Sequence, residues 1–155
     1  MSKDFHEIPI SCRGIAVVLL KKVFREYKVL LMKRATPILQ DAWCYIGGGI
    51  EEGEITWEAA LREIREETGI TKVTLYSSNK FDQFYNSNIY IAPVFVGYVD
   101  DSEEVILNWE HKEFKWLTVN EAMQKTTLPV NDEVLKHIEK YFIKRQPAEW
   151  MQVGK

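Results

Sequence analysis

Cysteine is scarce: Cys12 and Cys44 are the only two in 155 residues. They are too few and too far apart for a zinc cluster or a secreted disulfide framework. They read as reduced, semi-buried thiols of a cytoplasmic protein. Long apolar runs are also missing. The longest, Ile15 to Leu20, is far too short to span a bilayer. The stretch from Met1 to Ile10 holds Asp4, His6 and Glu7 and no apolar core, so it makes no signal peptide. Neither sign of charge dominates. Twenty Lys and Arg against 23 Asp and Glu give −3, which exerts no general pull on a nucleic-acid polymer. A small phosphate ligand carried on a metal ion stays open. Repeats and low-complexity stretches are absent as well.

What remains is an ordinary globular composition, 46% hydrophobic and 28% charged. It fits one domain over residues 1–155, with a core of about 11–144. Gly14 to Leu20 and Tyr27 to Lys33 read as a hairpin around a polar turn. Trp43 to Ile46 is a short strand running into Gly47-Gly48-Gly49. Thr56 to Thr68 is the clearest helix, with Thr56 as N-cap and Gly69 at the C′ position. Val73 to Tyr76 and Lys80 to Tyr85 are strands around a turn or bulge. Ile89 to Val99 is a long strand, whose Pro93 suggests an edge or a bulge. Phe114 to Leu117 is a strand and Val119 to Lys125 a helix. Asn131 to Lys144 is a second long helix, with Val134, Leu135, Ile138, Tyr141 and Phe142 on one face. The tail from Gln146 reads as loosely packed, with Trp150 and Met151 able to dock. The pattern is α/β (α+β), a sandwich with a mixed β-sheet.

The chemistry concentrates in Gly47 to Ile70. At about 100° per residue, Glu66 and Glu67 fall within roughly 60° of Glu63 on either side. Three carboxylates thus share one ridge, beside the arc of Ala60, Leu61, Ile64 and Thr68. Like charges three and four residues apart repel, and a cation relieves them. Oxygen ligands alone favour a hard ion such as Mg²⁺ or Mn²⁺. On the helix alone, the alternative is a solvated acidic face offset by Arg62 and Arg65. Three glycines after a strand let the backbone come close to a phosphate or a metal. Glu54 lies eight residues before Arg62.

This stretch resembles the Nudix hydrolase signature. Gly48, then Glu54, then Arg62-Glu63-Ile64-Arg65-Glu66-Glu67-Thr68-Gly69-Ile70 satisfies all nine restricted positions over 23 residues. One departure is Ile46, where many relatives carry proline before the glycines. The resemblance spans roughly Arg13 to Phe142 and implies a Nudix-type α/β/α sandwich.

It further implies that Glu63, Glu66 and Glu67 hold divalent metal ions, with the carbonyl of Gly47. Glu54 and Arg62 form an ion pair that sets the loop against the helix. In MutT-type members a glutamate six residues before a strand Trp approaches the metals. Counting back from Trp116 gives Glu110, as extra ligand or general base, with Glu113 as competitor. His111 receives no role, because a loop histidine is usually solvated. Arg34 matches an arginine that touches substrate phosphates. Asn131, fifteen residues after Trp116, matches an asparagine that hydrogen-bonds a purine, or else caps the last helix. Phe81, Phe84, Tyr85 and Tyr90 offer a stacking surface for a base, or belong to the core.

The implied reaction is Mg²⁺-dependent hydrolysis of a nucleoside diphosphate linked to another group. A nucleoside triphosphate going to monophosphate and pyrophosphate is the leading case. Alternatives are a dinucleoside polyphosphate or nucleotide-sugar hydrolase, or a non-catalytic nucleotide-binding module. Tyr85 comes fifteen residues after Ile70, near the sixteen to eighteen where dinucleoside polyphosphate hydrolases place a tyrosine. The expected partner is a small nucleotide, with no polymer and no membrane, in a monomer or homodimer.

Overall fold

Alternate residues of Ile15 to Leu20 point to opposite sides of a sheet, and both sides are covered. That is why this run is apolar throughout rather than alternating. The structure is a computed structural model that describes residues 7–85 and 88–155, the side chain of Tyr85 excepted. Nine strands among these form one mixed sheet. They are β1 (Ile10–Ser11), β2 (Gly14–Val23), β3 (Glu26–Arg34), β4 (Trp43–Cys44), β5 (Ile46–Gly49), β6 (Val73–Tyr85), β7 (Ile89–Val99), β8 (His111–Leu117) and β9 (Gln152–Val153). The central pair, β2 and β7, is parallel, with Ala16 beside Val94 and Leu20 beside Tyr98. β2 also pairs antiparallel with β5, so the three glycines lie alongside Gly14 to Ala16. β3 carries β8 in antiparallel register, which brings His111 beside Arg34.

Helix α1 (Thr56–Thr68) covers one face of the sheet. Its Ala59, Ala60 and Ile64 pack on Ile15, Val17, Leu19, Met32 and Ile46. Helices α2 (Val119–Lys125) and α3 (Asn131–Ile138) cover the other face, against Ala16, Val18, Leu20, Val29 and Leu31. Among the described residues no helix is long and apolar enough to cross a membrane.

Several expectations need correction. The cap of α1 is Ile55, in extended conformation and without a side-chain bond, rather than Thr56. The amide of Ala59 already donates to the carbonyl of Ile55, so the helical ladder begins one residue early. Pro93 sits in a central strand. It falls between the stretch of β7 paired with β1 and the stretch paired with β2, where its missing N–H costs no parallel ladder bond. α3 stops at Ile138 and continues as a π turn, Glu139–Ile143. The wider turn rotates Tyr141 off the apolar face onto His137, while Phe142 stays buried. The tail is not loose. A 3₁₀ turn at Glu149–Met151 leads into β9, which pairs with Leu75 and Tyr76; of the two residues expected to dock, Met151 is half-buried and Trp150 is exposed. Cys44 is buried, but Cys12 is exposed. The turn or bulge expected within β6 is a bulge between Ser77 and Lys80, with Asn79 at φ 61°.

Candidate functional site

The three glycines lie in β5 directly under α1. A Cβ on Gly48 would overlap the Glu63 side chain, so the glycine is there for space, not for its backbone angle. Arg62 joins loop and helix. Its Nε and Nη2 hold the two oxygens of Glu54 at 2.7 and 3.0 Å. Nη2 also donates to the carbonyl of Gly49 at 2.7 Å, and Nη1 to Glu63 at 2.9 Å and Glu66 at 3.1 Å. Such a bidentate fork fixes orientation as well as charge. The Arg62 hydrogen bond holds Glu54 below the usual carboxylate range. Burial pushes Glu63 up, against the pull of Arg62.

Glu67 lies deeper, 1% exposed, and neither carboxylate oxygen has a hydrogen-bond partner. Burial, with the charges of Glu63 and Glu110, pushes it up to about 9. Facing it is His111, 4% exposed, whose Nδ1 also has no partner and stands 3.8 Å from Glu67 Oε1. Burial and the charge of Arg34 push His111 down to about 4. Glu110 comes from the loop before β8. The loop is pinned by its own amide on Asn108 Oδ1 and by its carbonyl on the amide of Ala35. One donor atom each from Glu67, Glu110 and His111 lies within 4.8 Å of the others. Glu113 sits on β8, exposed, and takes no part.

Native folds leave few buried polar atoms unpaired. Three of them facing a carboxylate cluster fit a divalent cation, and an oxygen-rich set suits a hard one.

Beside the glycine strand opens a cleft of about 750 Å³. Gly47, Gly48 and Arg34 line one part, and Tyr45, Asp82 and Asn131 another. Arg34 is held by the carbonyl of Ile38 and by Thr36 Oγ1. Tyr45 Oη lies 2.9 Å from Asn131 Oδ1 and 2.9 and 3.1 Å from the Asp82 oxygens. A hydroxyl has one hydrogen for these two acceptors. Burial raises the Asp82 carboxyl above the usual carboxylate range, against the opposing Tyr45 bond. The contact to Asn131 is through its Oδ1, so its amide hydrogens meet no partner among the described residues. Asn131 is 4% exposed and makes no helix-capping bond. The cap position is Val130, at φ 76°, a strained angle for a β-branched residue. Phe81 and Phe84 are exposed on the cleft wall rather than in the core, and Phe84 stacks on Tyr90 at 5.3 Å.

The structure thus gathers Glu54, Arg62, Glu63 and Glu66 into one charge cluster and Glu67 with Glu110 into another. Gly47, Arg34 and Asn131 line the cleft. The Tyr85 side chain falls outside the described residues. Sequence reasoning missed His111, Tyr45 and Asp82. Only the pairing of β8 with β3, which sets His111 beside Arg34, could have flagged the histidine.

A glycine strand beside a helix of carboxylates, with a cleft opening next to them, sits in the frame of a hydrolase of pyrophosphate bonds. The chain belongs to the Nudix family: the NUDIX domain model matches residues 12–138. A bis(5'-nucleosyl)-tetraphosphatase from Caenorhabditis elegans is 27% identical over 72% of this chain and 83% of that protein. The Escherichia coli nucleoside triphosphatase NudI is 31% identical over 48% of this chain and 60% of its own length. Among solved structures, the MutT protein of Methanosarcina mazei is 26% identical, with TM-score 0.69 over 88% of this chain and 97% of that one. A C. elegans Ap4A hydrolase complex shares the fold at TM-score 0.74, covering 82% and 94% of the two chains at 21% identity.

Proposed function

We propose that this protein hydrolyses a nucleoside triphosphate to the monophosphate and pyrophosphate. One observation carries the reading. A single cleft runs from the glycine strand and Arg34 to the Tyr45–Asp82–Asn131 cluster, so it offers a phosphate end and a base end. Glu63, Glu66, Glu67 and Glu110 would hold Mg²⁺ or Mn²⁺, with the Gly47 carbonyl. When bound, such an ion neutralises the phosphate chain and makes water acidic enough to attack phosphorus. Arg62 and Glu54 keep the glycine strand and α1 in fixed relation. Arg34 meets the phosphates that the carboxylates would otherwise repel. Glu110 adds a carboxylate as ligand or as base for the attacking water. Asn131 reads the base edge with its free amide hydrogens.

A second reading is favoured by the exposed Phe81 and Phe84, which give the cleft room to stack a second base. Under that reading the substrate is a dinucleoside polyphosphate, the kind of compound for which the C. elegans relative is named. A panel of the four nucleoside triphosphates, diadenosine tetraphosphate and a nucleotide sugar, each with Mg²⁺, decides the matter. Monophosphate and pyrophosphate as the main products support the first reading. Turnover of diadenosine tetraphosphate alone replaces it with the second.

A further inference from the structure

We propose that His111 Nδ1 binds the metal directly, together with Glu67 and Glu110, and that this nitrogen tilts the site's preference toward a first-row transition dication such as Mn²⁺ over Mg²⁺. The inference rests on the carboxylates of this site holding a metal, and it goes further by naming a nitrogen ligand and the class of ion.

Three observations converge. His111 and Glu67 are each more than nine-tenths buried, and the three atoms they turn toward one another have no hydrogen-bond partner. The 3.8 Å from Nδ1 to Oε1 is too long for a hydrogen bond. Two donors each about 2.1 Å from a shared ion stand about 3.0 Å apart at a right angle and about 3.4 Å apart at the tetrahedral angle, so a modest closure of the pair admits an ion. Third, His111 is not free to turn elsewhere. The β3–β8 register sets it beside Arg34, and the amide of Ala35 holds the preceding carbonyl.

Carboxylates and carbonyls alone leave the choice of ion to Mg²⁺, Ca²⁺ and Mn²⁺. An imidazole moves the preference toward transition ions. The rival account is a direct bond between a protonated Glu67 and Nδ1 after a small shift, with no nitrogen on any ion.

Mn²⁺ is the probe. The full chain is loaded with Mn²⁺ and examined by electron spin-echo envelope modulation. Directly bound nitrogen should appear and should change when the protein is made with ¹⁵N-histidine. His111→Gln should lose the signal while Mn²⁺ still binds. His137→Gln should keep it, since that ring faces the carbonyl of Ser78 instead. In competition calorimetry, the Mn²⁺-over-Mg²⁺ affinity ratio should fall at least about tenfold in His111→Gln. The labelled wild type decides the question even where that variant does not fold. Bound Mn²⁺ without histidine nitrogen overturns the proposal and leaves the carboxylate site standing. Failure of the protein to bind Mn²⁺ at all overturns both.

Discussion

Glu67 does two things at once: it completes a charge cluster and it is buried without a partner. Removing its charge should therefore hurt catalysis more than folding. Glu67→Gln is expected to lower turnover at least ~10²-fold with the fold intact, as read by steady-state rates and circular dichroism. Glu110→Gln should lower it about 10- to 10³-fold, and Glu113→Gln should be near wild type, because only Glu110 reaches the cluster. A dead Glu113→Gln would move the extra carboxylate to β8. Asn131→Ala should cost roughly 1–3 kcal/mol on the preferred base and reorder a four-nucleotide panel. Since Asn131 makes no capping bond, helix capping no longer offers a competing explanation. The helix carboxylates of the signature were legible because a helix spaces them locally, three and four apart. Tyr45, Asp82 and His111 were not. Each meets its partners across 37 or more residues of chain, through strand register that no local pattern reports.

At the scale of elements, α1, α2 and β7 have the bounds that periodicity and punctuation suggest. Gly69 ends α1 in the left-handed region at φ 74°, with its amide bonded to the carbonyl of Arg65. Gly69→Ala should cost about 1–2 kcal/mol, measured by urea denaturation, because an L-residue resists that angle. A neutral result would mean that the loop relaxes to another closure. What the sequence hid were ends set by tertiary contacts. The π turn after α3 follows from the seat of Phe142 in the core, and β9 follows from the free edge of β6. Neither leaves a periodic trace.

Over the whole molecule, the buried cluster couples stability to pH. In chelator-treated protein the folded chain keeps the Glu67 proton up to about 9, whereas an ordinary glutamate releases it near 4.5. Between those values the folded state binds more protons, so stability falls as pH rises. His111 is held at about 4 against an ordinary 6.5, so below 6.5 it works in the opposite direction. The decline should thus stand clear between pH 6.5 and 9. Melting temperature without metal should drop across that window, and Glu67→Gln should flatten the slope. An equal slope in both proteins would assign the effect to other groups.

The bulge in β6 has one more effect. β9 covers β6 only at Leu75 and Tyr76, so among the described residues Lys80 to Tyr85 has no strand on its outer side. Exposed N–H and C=O groups there, next to Phe81 and Phe84, form a template on which another chain could add. The kink at Ser78 and Asn79 bends this edge out of line, and Lys80 places a charge on it. Deleting Ser78 and Asn79 would restore an unbroken ladder with every later side chain on its present face. That variant should self-associate more strongly than the parent as concentration rises in sedimentation runs. The two extra residues would then serve to keep copies of the protein apart as well as to shape one wall of the cleft.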